Sequence, residues 1–324
     1  MQVDAGMIRD AAGRLEGIAV RTPLLALRGD ERASEIWIKP EVLQPVGSFK
    51  IRGAFNAIAR RTEAGDLSEI ATLSAGNMSQ GVAWSAKRLG IPATAIMPEG
   101  APRSKIEATE RYGASIEFIP RDQMFAAMND GRFNDRPGFV HPFDDPDVVA
   151  GHGTIGLEIF DDLPDGDTVI VPVGSGGLLI GIAIALKGSN PEVHVLGVQP
   201  KGACGFAVSF PTGKAQTMTG STFVDGAGAP FVMDAMFPTL LEVADGCLTV
   251  SDEDTKAAIR LLANKNKIIA EGAGAMAVAA ALKLNAPERG KTVCIVSGGS
   301  IDPADLAAIL GAGDAESPTN LRKA

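Results

Sequence analysis

Short apolar runs alternate with amphipathic segments along most of the chain. Runs rich in Val and Ile predict buried β-strands, and segments with apolar residues at helical spacing predict α-helices between them. The predicted strands are Glu35–Ile38, Ala71–Leu73, Ala93–Met97, Ser115–Ile119, Val169–Val173, Val193–Val198 and Thr292–Val296. The predicted helices are Ser79–Leu89, Ser104–Tyr112, Ile155–Asp161, Leu178–Leu186 and Asp254–Asn264, the last with a capping box of Ser251 and Asp254.

This alternation of strands and helices predicts an α/β fold with mainly parallel sheets and helices on both faces. We expect two lobes with a cleft between them, where small-molecule sites are common. Residues 69–144 form the predicted small domain, and residues 1–68 and 145–315 form the large one. The segment "HPFDDPD" leads the chain out of the small domain, and residues 316–324 form a loose tail.

The composition argues against several kinds of partner and location. Hydrophobic residues make up 45% of the 324 residues and the net charge is -9, which argues against a nucleic-acid-binding protein. The longest apolar stretches, Leu178–Leu186 and Ala273–Leu284, are shorter than the roughly 20 residues that span a bilayer. The N-terminal residues contain acids and do not resemble a signal peptide. Cys204, Cys247 and Cys294 are widely spaced, which favours reduced thiols in a cytoplasmic protein.

Three glycine-containing turns follow predicted strands. They are Ser74–Gly81 ("SAGNMSQG"), Gly174–Gly177 ("GSGG") and Ser297–Asp302 ("SGGSID"). A strand, a glycine turn and a helix together direct backbone N–H groups and a helix dipole at an anion. A dinucleotide site would need an acidic residue after the next strand, which ends at Gln199, and an ATP-type loop would need Gly-Lys-Ser/Thr. Neither nucleotide interpretation fits.

A candidate reactive group lies in "PVGSFKIRGAFNAI". Lys50 begins a predicted amphipathic helix, with Ser48 as its expected cap and with Phe49 and Ile51 as apolar neighbours. A helix N-terminus and an apolar environment both lower the pKa of a lysine. Such a lysine can act as a nucleophile that forms a Schiff base. A single lysine at a helix start is otherwise an ordinary solvated side chain.

Taken together and in order, "SFKIRGA", "SAGN", "GSGGL" and "SGG" resemble the motifs of fold-type II pyridoxal-phosphate enzymes. Within that class the chain is similar to the threonine/serine dehydratase and serine racemase group. The resemblance extends from Arg21 to Leu310 and includes "RTPLL", "AGHGTIGLEI", "DG" at Asp225 and "EGAGA" at Glu271. It implies a tryptophan synthase β-like fold, with pyridoxal phosphate in the cleft between two domains.

The resemblance also implies roles for individual residues. Lys50 would form the Schiff base and then remove the α-proton of the substrate, and Phe49 would pack on the pyridine ring. Asn77 would hydrogen-bond the ring hydroxyl, and Ser297 would face the ring nitrogen as a mild partner that suits elimination. The phosphate would lie in a loop formed by Gly174, Ser175, Gly176, Gly177 and Leu178. The substrate carboxylate would be held by Ser74, Ala75, Gly76 and Met78.

Two departures from the family pattern carry predictions. Racemases of the group have a serine at the position of Ala75, so we expect elimination to a 2-oxo acid and ammonia rather than racemisation. The positions that match the family's metal site are Gln199, Ala203 and Gly205, which lack both carboxylates. Hard cations prefer anionic oxygen ligands, so we expect no metal and no effect of EDTA.

Two further positions could contact the substrate. Met78 and His152 replace a histidine and a glutamine that are usual in the group. Together with Met124, Phe125 and Met128 of the segment "RDQMFAAMNDGRF", Met78 could form a pocket for an apolar β-substituent such as that of phenylserine. It could equally pack in the core of the small domain. His152 is a candidate extra acid.

Several alternatives stay open at this point. A β-replacement enzyme of the same fold and a non-catalytic cofactor-binding protein would carry the same cofactor motifs. The substrate could be serine, threonine, phenylserine or hydroxyaspartate. The chain ends soon after the Ser-Gly-Gly strand, so we expect no feedback control through a C-terminal module, and a homodimer is possible. An amino acid is the expected small-molecule partner.

Overall fold

A computed structural model of the chain describes residues 2–65 and 67–312. Its strands are β1 (Leu25–Ala26), β2 (Ile36–Pro40), β3 (Ile70–Leu73), β4 (Ala93–Pro98), β5 (Ser115–Ile119), β6 (Thr168–Pro172), β7 (His194–Pro200), β8 (Gly246–Val250) and β9 (Thr292–Val296). Each predicted strand is present, with ends that differ by at most two residues. The short β1 and β8 were not predicted. The loose tail lies outside the described residues.

The helices are α1 (Ala5–Leu15), α2 (Lys50–Glu63), α3 (Asn77–Leu89), α4 (Arg103–Arg111), α5 (Met124–Asn129), α6 (Pro146–Asp162), α7 (Gly177–Lys187), α8 (Gly205–Ser209), α9 (Phe237–Val243), α10 (Asp252–Leu261), α11 (Gly272–Ala281), α12 (Ala286–Arg289) and α13 (Pro303–Gly311). The capping box of Ser251 and Asp254 is confirmed at the start of α10. A π-helical turn, Leu262–Asn266, follows α10. Among the described helices, none is both long and apolar enough to cross a membrane.

The strands form two sheets. The larger has the order β1-β2-β9-β6-β7-β8, and the smaller has the order β3-β4-β5. Every pairing is parallel except that of β1 with β2. Adjacent residues of a strand point to opposite faces, and on β6 Ile170 packs in one buried cluster while Val169 and Val171 pack in another. The predicted mainly parallel fold with helices on both faces is therefore confirmed.

The smaller sheet lies within the segment predicted as the small domain, but its core draws on both parts of the chain. Ile70 and Val82 pack with Ile58 of α2 and Val148 of α6 in one buried cluster. Helices α2 and α6 therefore connect the two sheets, and the division of the chain at residues 69 and 144 stays a prediction.

Helix α6 begins nine residues earlier than predicted, at Pro146. Asp145 caps it by accepting hydrogen bonds from Asp147 N and Val148 N. Its glycines allow unusually close helix packing. A Cβ on Gly151 would lie 2.4 Å from the carbonyl oxygen of Arg52 in α2, and one on Gly153 would lie 2.9 Å from that of Gly181 in α7. The lysine-bearing helix and the helix after the glycine loop are thus both held against α6.

A buried ion network fixes the start of α2. Arg52 is 1% exposed and donates to both oxygens of Glu41, at 2.7 and 2.9 Å, and to Glu158 at 2.6 Å. Lys39 of β2 donates to the same Glu158 at 2.6 Å. Buried charges are costly unless they are paired and hydrogen-bonded. Arg52 lies two residues beyond Lys50. The network therefore holds the start of α2 against the end of β2 and against α6.

Candidate active site

Every residue predicted for the site lines one cavity of about 410 Å³ that the two sheets share. These residues are Phe49, Lys50, Ser74, Ala75, Gly76, Asn77, Met78, Gly174, Ser175, Gly176, Gly177, Leu178 and Ser297. The predicted residues come from the carboxyl ends of β3, β6 and β9 and from the start of α2. The three glycine-containing turns therefore meet at one cleft, as the sequence predicted.

Lys50 is the first residue of α2, and Phe49 precedes it. Phe49 N donates to the carbonyl oxygen of Ser297 at 3.0 Å, which ties this segment to the end of β9. The predicted cap is wrong: Phe49 occupies the cap position, and the buried hydroxyl of Ser48 has no hydrogen-bond partner among the described residues. The predicted helix start at Lys50 is confirmed.

The side chain of Lys50 is exposed only in part, and it faces the cavity. Its Nζ donates to the carbonyl oxygen of Pro142 at 3.3 Å and lies 5.0 Å from the centre of the Phe49 ring. Burial lowers the pKa of Lys50 from 10.5 to about 8, because the charged form is poorly solvated there. A substantial fraction of the amine is neutral near pH 8, as a nucleophile requires.

The glycine loop runs from the end of β6 into α7. Gly176 has φ +103°, a conformation that residues with side chains rarely adopt. A Cβ on Gly174 would lie 2.6 Å from the carbonyl oxygen of Gly226, and one on Gly176 would lie 2.7 Å from Leu240 Cδ1. The loop therefore requires glycine at both positions, and it leaves the positive end of the α7 dipole facing the cavity.

On the opposite side, the loop after β3 carries Ser74 to Gly76 into α3. Ser74 Oγ accepts a hydrogen bond from Gly76 N at 3.1 Å, which closes a tight turn. Asn77 is the first residue of α3, and its Nδ2 donates to Glu271 Oε1 at 2.8 Å. Met78 is 2% exposed and packs in the core of the smaller sheet, but it also lines the cavity. Packing of Met78 in the core is therefore confirmed, and its contact with a substrate stays a prediction.

Glu271 is a site residue to which sequence reasoning assigned no role. It lines the cavity just before α11, and burial raises the pKa of its carboxyl from 4.5 to about 7. The hydrogen bond from Asn77 acts in the opposite direction, because it stabilises the ionised form. The signal that could have revealed Glu271 was an acid placed directly before the "GAGA" helix start.

Two oppositely charged residues lie at another part of the cavity wall. Lys105 of α4 donates to Asp225 at 2.9 Å, and their side chains are 25% and 79% exposed. Met128 of α5 contributes apolar wall, whereas Met124 of the same helix is buried in the cluster beneath it and does not line the cavity. The side chain of Phe125 lies outside the described residues.

The positions matched to a metal site hold a hydrogen-bonded amide. Gln199 is buried, its Nε2 donates to the carbonyl oxygen of Val173 at 3.1 Å, and its Oε1 accepts from Phe206 N at 2.9 Å and Ala207 N at 3.0 Å. In the described part of the chain, no three His, Cys, Asp or Glu side chains are grouped so that they could hold a metal ion. The amide occupies the position at which a metal-binding relative would carry a carboxylate.

The site combines a buried lysine, a glycine loop at a helix start and a cleft between two parallel sheets. These features are those expected of a pyridoxal-phosphate enzyme, and comparison with known proteins supports the same class. The chain belongs to the family of pyridoxal-phosphate dependent enzymes, whose model matches residues 15–298. The predicted family, fold and cofactor are thereby confirmed.

Among curated proteins, the chain is 41% identical over 302 residues to L-threonine ammonia-lyase of Thermotoga maritima, covering 91% of this chain and 75% of that protein. It is 40% identical over 322 residues to the catabolic L-threonine dehydratase of Escherichia coli K12, covering 95% and 96%. Among solved structures, maize serine racemase matches with a TM-score of 0.86 and 31% identity, covering 96% and 98%. The chain is a pyridoxal-phosphate-dependent lyase of the hydroxy-amino-acid dehydratase type.

The described residues fit this cofactor. The glycine loop lines the cavity at the start of α7 and has no room for a side chain on Gly174, and exposed backbone N–H groups at such a turn bind phosphate. Lys50 offers a buried amine of lowered pKa in the same cavity. Asn77 and Ser297 add one amide and one hydroxyl to the wall of the same cavity.

Proposed function

We propose that this protein converts L-threonine, and L-serine, to a 2-oxo acid and ammonia by α,β-elimination. The observation that carries the proposal is the pairing of Lys50 with Ala75 across one cavity. Lys50 can take and return a proton, whereas the methyl group of Ala75 cannot. Racemisation requires a second proton-transfer group on the opposite face of the substrate, so the arrangement favours elimination.

We assign the binding roles as follows. The backbone N–H groups of the glycine loop and the start of α7 hold the phosphate. Asn77 donates to the ring hydroxyl, Ser297 faces the ring nitrogen, and Phe49 packs on the ring. When bound, pyridoxal phosphate supplies an electron-withdrawing ring that makes the α-proton of an amino acid acidic. The substrate carboxylate is held by Ser74 and the N–H groups at the start of α3.

Lys50 performs the proton transfers. Its neutral amine removes the α-proton, and the resulting ammonium delivers a proton to the departing β-hydroxyl, which leaves as water. Loss of water leaves an enamine, which takes up water to give the 2-oxo acid and ammonia. The proton balance closes, because the proton that Lys50 removes from carbon is the one it gives to oxygen.

The apolar wall at Met78 and Met128 is the proposed contact for the β-substituent. The methyl group of threonine fits such a wall, and the relatives named for threonine support this choice. Methionine adapts its shape readily, so phenylserine is the substrate by which the size of this pocket is tested.

The test measures 2-oxo acid formation by the purified protein from L-threonine, L-serine and L-phenylserine, with D-serine measured in parallel. We expect 2-oxobutyrate from threonine at the highest kcat/KM, with pyruvate from serine. Faster formation of D-serine than of pyruvate would identify a racemase, and turnover of phenylserine alone would identify a different substrate class. O-acetylserine with sulfide tests β-replacement, and cofactor binding with no turnover of any substrate would indicate a binding protein.

We propose a reducing compartment, the cytoplasm, as the location. Cys204, Cys247 and Cys294 are free thiols in the structure, and burial raises the pKa of each. Such thiols are protonated and react slowly. Formation of a homodimer stays a prediction, which the mass of the protein in solution would test.

A further inference from the structure

His152 of α6 lies in the wall of the cavity. Its ring is 1% exposed and meets the ring of Phe49 edge to face, with centres 4.7 Å apart and planes at 67°. On α6, His152 lies one helical turn from Val149, which is the nearest side chain to Gly177 of the glycine loop. The imidazole thus lies against the start of α2, on a helix that also packs against the start of α7.

Helix α2 approaches one edge of this ring closely. A Cβ on Gly53 would lie 2.4 Å from His152 Cε1 and 2.8 Å from Nδ1. Glycine at position 53 therefore leaves room for the imidazole of His152. Of the two ring nitrogens, Nδ1 is the nearer to Gly53, so Nε2 is the one that we assign to another group.

Neither ring nitrogen of His152 has a hydrogen-bond partner among the described residues, and both are buried. His141, by contrast, is satisfied at both positions: its Nε2 bonds the carbonyl oxygen of Met128 at 3.2 Å, and its Nδ1 accepts from Asp144 N at 2.9 Å. Leaving a buried polar atom without a partner costs about 1–3 kcal/mol. Such atoms are rare in native proteins and call for a specific reason.

The charge state of His152 is set by its surroundings. Burial, with Lys50 and Arg52 of α2 as nearby positive charges, holds the pKa of His152 well below its usual value. Glu41 and Glu158 are already paired with Arg52 and leave no free carboxylate for the imidazole. His152 is therefore neutral at physiological pH, with one N–H donor and one acceptor. It does not act as an imidazolium acid, which argues against the role suggested by the sequence.

We propose that His152 is a positioning residue for the cofactor, whose neutral Nε2–H donates a hydrogen bond to the phosphate end of pyridoxal phosphate, directly or through one water. Both nitrogens are shielded from solvent in the structure, so the bond requires the imidazole to rotate within the cavity wall. The inference rests on the cofactor site and not on the proposed substrate.

The first test uses the fact that the chain has three histidines. In protein labelled with ¹⁵N-histidine, the imidazole signals of His141, His152 and His194 are recorded with and without pyridoxal phosphate and assigned with H152Q and H194Q. We expect His152 to stay neutral from pH 6 to 9 and its Nε2 signal to shift on loading. Protonation in this range, or signals that loading leaves unchanged, would overturn the proposal.

The second test compares two variants by cofactor affinity and by the Tm of the cofactor-free protein. H152Q keeps a donor and an acceptor, and we expect its Kd for pyridoxal phosphate to stay within about threefold of wild type. H152F keeps an aromatic ring without nitrogens, and we expect about tenfold weaker binding, or about 1.4 kcal/mol. Its cofactor-free Tm should rise, because the unpaired polar atoms are gone.

In H152F the expected fall in cofactor affinity and rise in Tm have opposite directions, which distinguishes a residue that positions the cofactor from one that only packs in the core. A purely structural role would lower Tm and affinity together, or would change neither. If H152F bound the cofactor as tightly as wild type, the hydrogen bond would be excluded. All of these measurements are made without substrate, so a failure of the threonine assignment would leave them unaffected.

Discussion

Asn77 Nδ2 donates to Glu271 Oε1 at 2.8 Å, which joins the first residue of α3 to the residue before α11. Gly298 makes this approach possible, because a Cβ there would lie 2.4 Å from Glu271 Oε1 and 3.1 Å from Asn77 Nδ2. The bond fixes the orientation of the Asn77 amide and uses one of its two hydrogens. In the role proposed for Asn77, the second hydrogen would serve the ring hydroxyl, and Glu271 would act on the cofactor through Asn77.

The raised pKa of Glu271 predicts a pH-dependent stability. The pKa of its carboxyl is 4.5 in the unfolded chain and about 7 in the folded protein. The contribution of Glu271 to the free energy of unfolding is therefore fully present below pH 4.5 and is lost as the pH rises through about 7. The free energy of unfolding should fall by up to about 3 kcal/mol over this range. Glu271→Gln should therefore raise the Tm of the cofactor-free protein more at pH 8 than at pH 5. An equal Tm difference at both pH values would contradict this assignment.

The lowered pKa of Lys50 predicts how fast the cofactor binds covalently. The reactive form is the neutral amine, so the rate of uptake by cofactor-free protein should rise with pH and level off above about 8. The measurement is the growth of the visible absorption band after mixing with pyridoxal phosphate. Lys50→Ala is the control, which should show no covalent band at any pH and no turnover. A rate that continued to rise beyond pH 10 would indicate an unperturbed lysine.

Replacing Ala75 tests the preference for elimination. Ala75→Ser places a hydroxyl on the loop opposite Lys50, where it can exchange a proton with the other face of the substrate. We expect interconversion of L- and D-serine to rise toward the roughly 10²-fold that a positioned proton-transfer group supplies. Chiral chromatography of the products measures it, with Ala75→Gly as a control that adds no hydroxyl. An equal gain in both variants would show that loop flexibility, not the hydroxyl, is responsible.

The buried network around Arg52 predicts a large loss of stability on mutation. Arg52→Met leaves Glu41 buried without its partner, and breaking a buried pair costs about 3–5 kcal/mol. Arg52→Lys keeps the charge but cannot reproduce the contact with both oxygens of Glu41, so we expect an intermediate loss. Urea unfolding of the cofactor-free proteins measures both. Loss of activity with unchanged unfolding would instead place Arg52 in the catalytic machinery.

The amide of Gln199 predicts metal-independent activity. It joins the residue before the glycine loop, through the carbonyl oxygen of Val173, to the N–H groups at the start of α8. EDTA should therefore leave kcat unchanged, and Mg²⁺ or Ca²⁺ should leave Tm unchanged. Gln199→Glu removes the donor to Val173 and should lower Tm without metal. A marked loss of activity in EDTA would refute this prediction.

Much of the architecture could be predicted because the buried strands are short apolar runs flanked by glycine or proline. What was missed has a physical reason in each case. Strand β8 is only partly buried, so its sequence lacks a continuous apolar run, and β1 has two residues. The start of α6 was missed because Gly151 and Gly153 weaken a helical pattern, whereas in the structure they permit close helix packing.

The site itself was predicted as a set of ordered motifs, and its residues do share one cavity. The relations that tune them were not predictable, because they join positions far apart in the chain. Glu271 lies 194 residues beyond Asn77, and Glu158 lies 106 residues beyond Arg52. The expected cap at Ser48 was wrong because the backbone there bridges to Gly298 of the β9 end, which leaves its hydroxyl out of reach of the helix.

The ion pair of Lys105 and Asp225 lies in the cavity wall and bears on access to the cavity. It joins α4, beside the smaller sheet, to a loop beside the larger one, and Asp225 is mostly exposed. An exposed pair of this kind contributes about 0.2–1 kcal/mol, which is comparable with thermal energy. The contact therefore opens and closes spontaneously and does not form a fixed barrier at this part of the cavity wall.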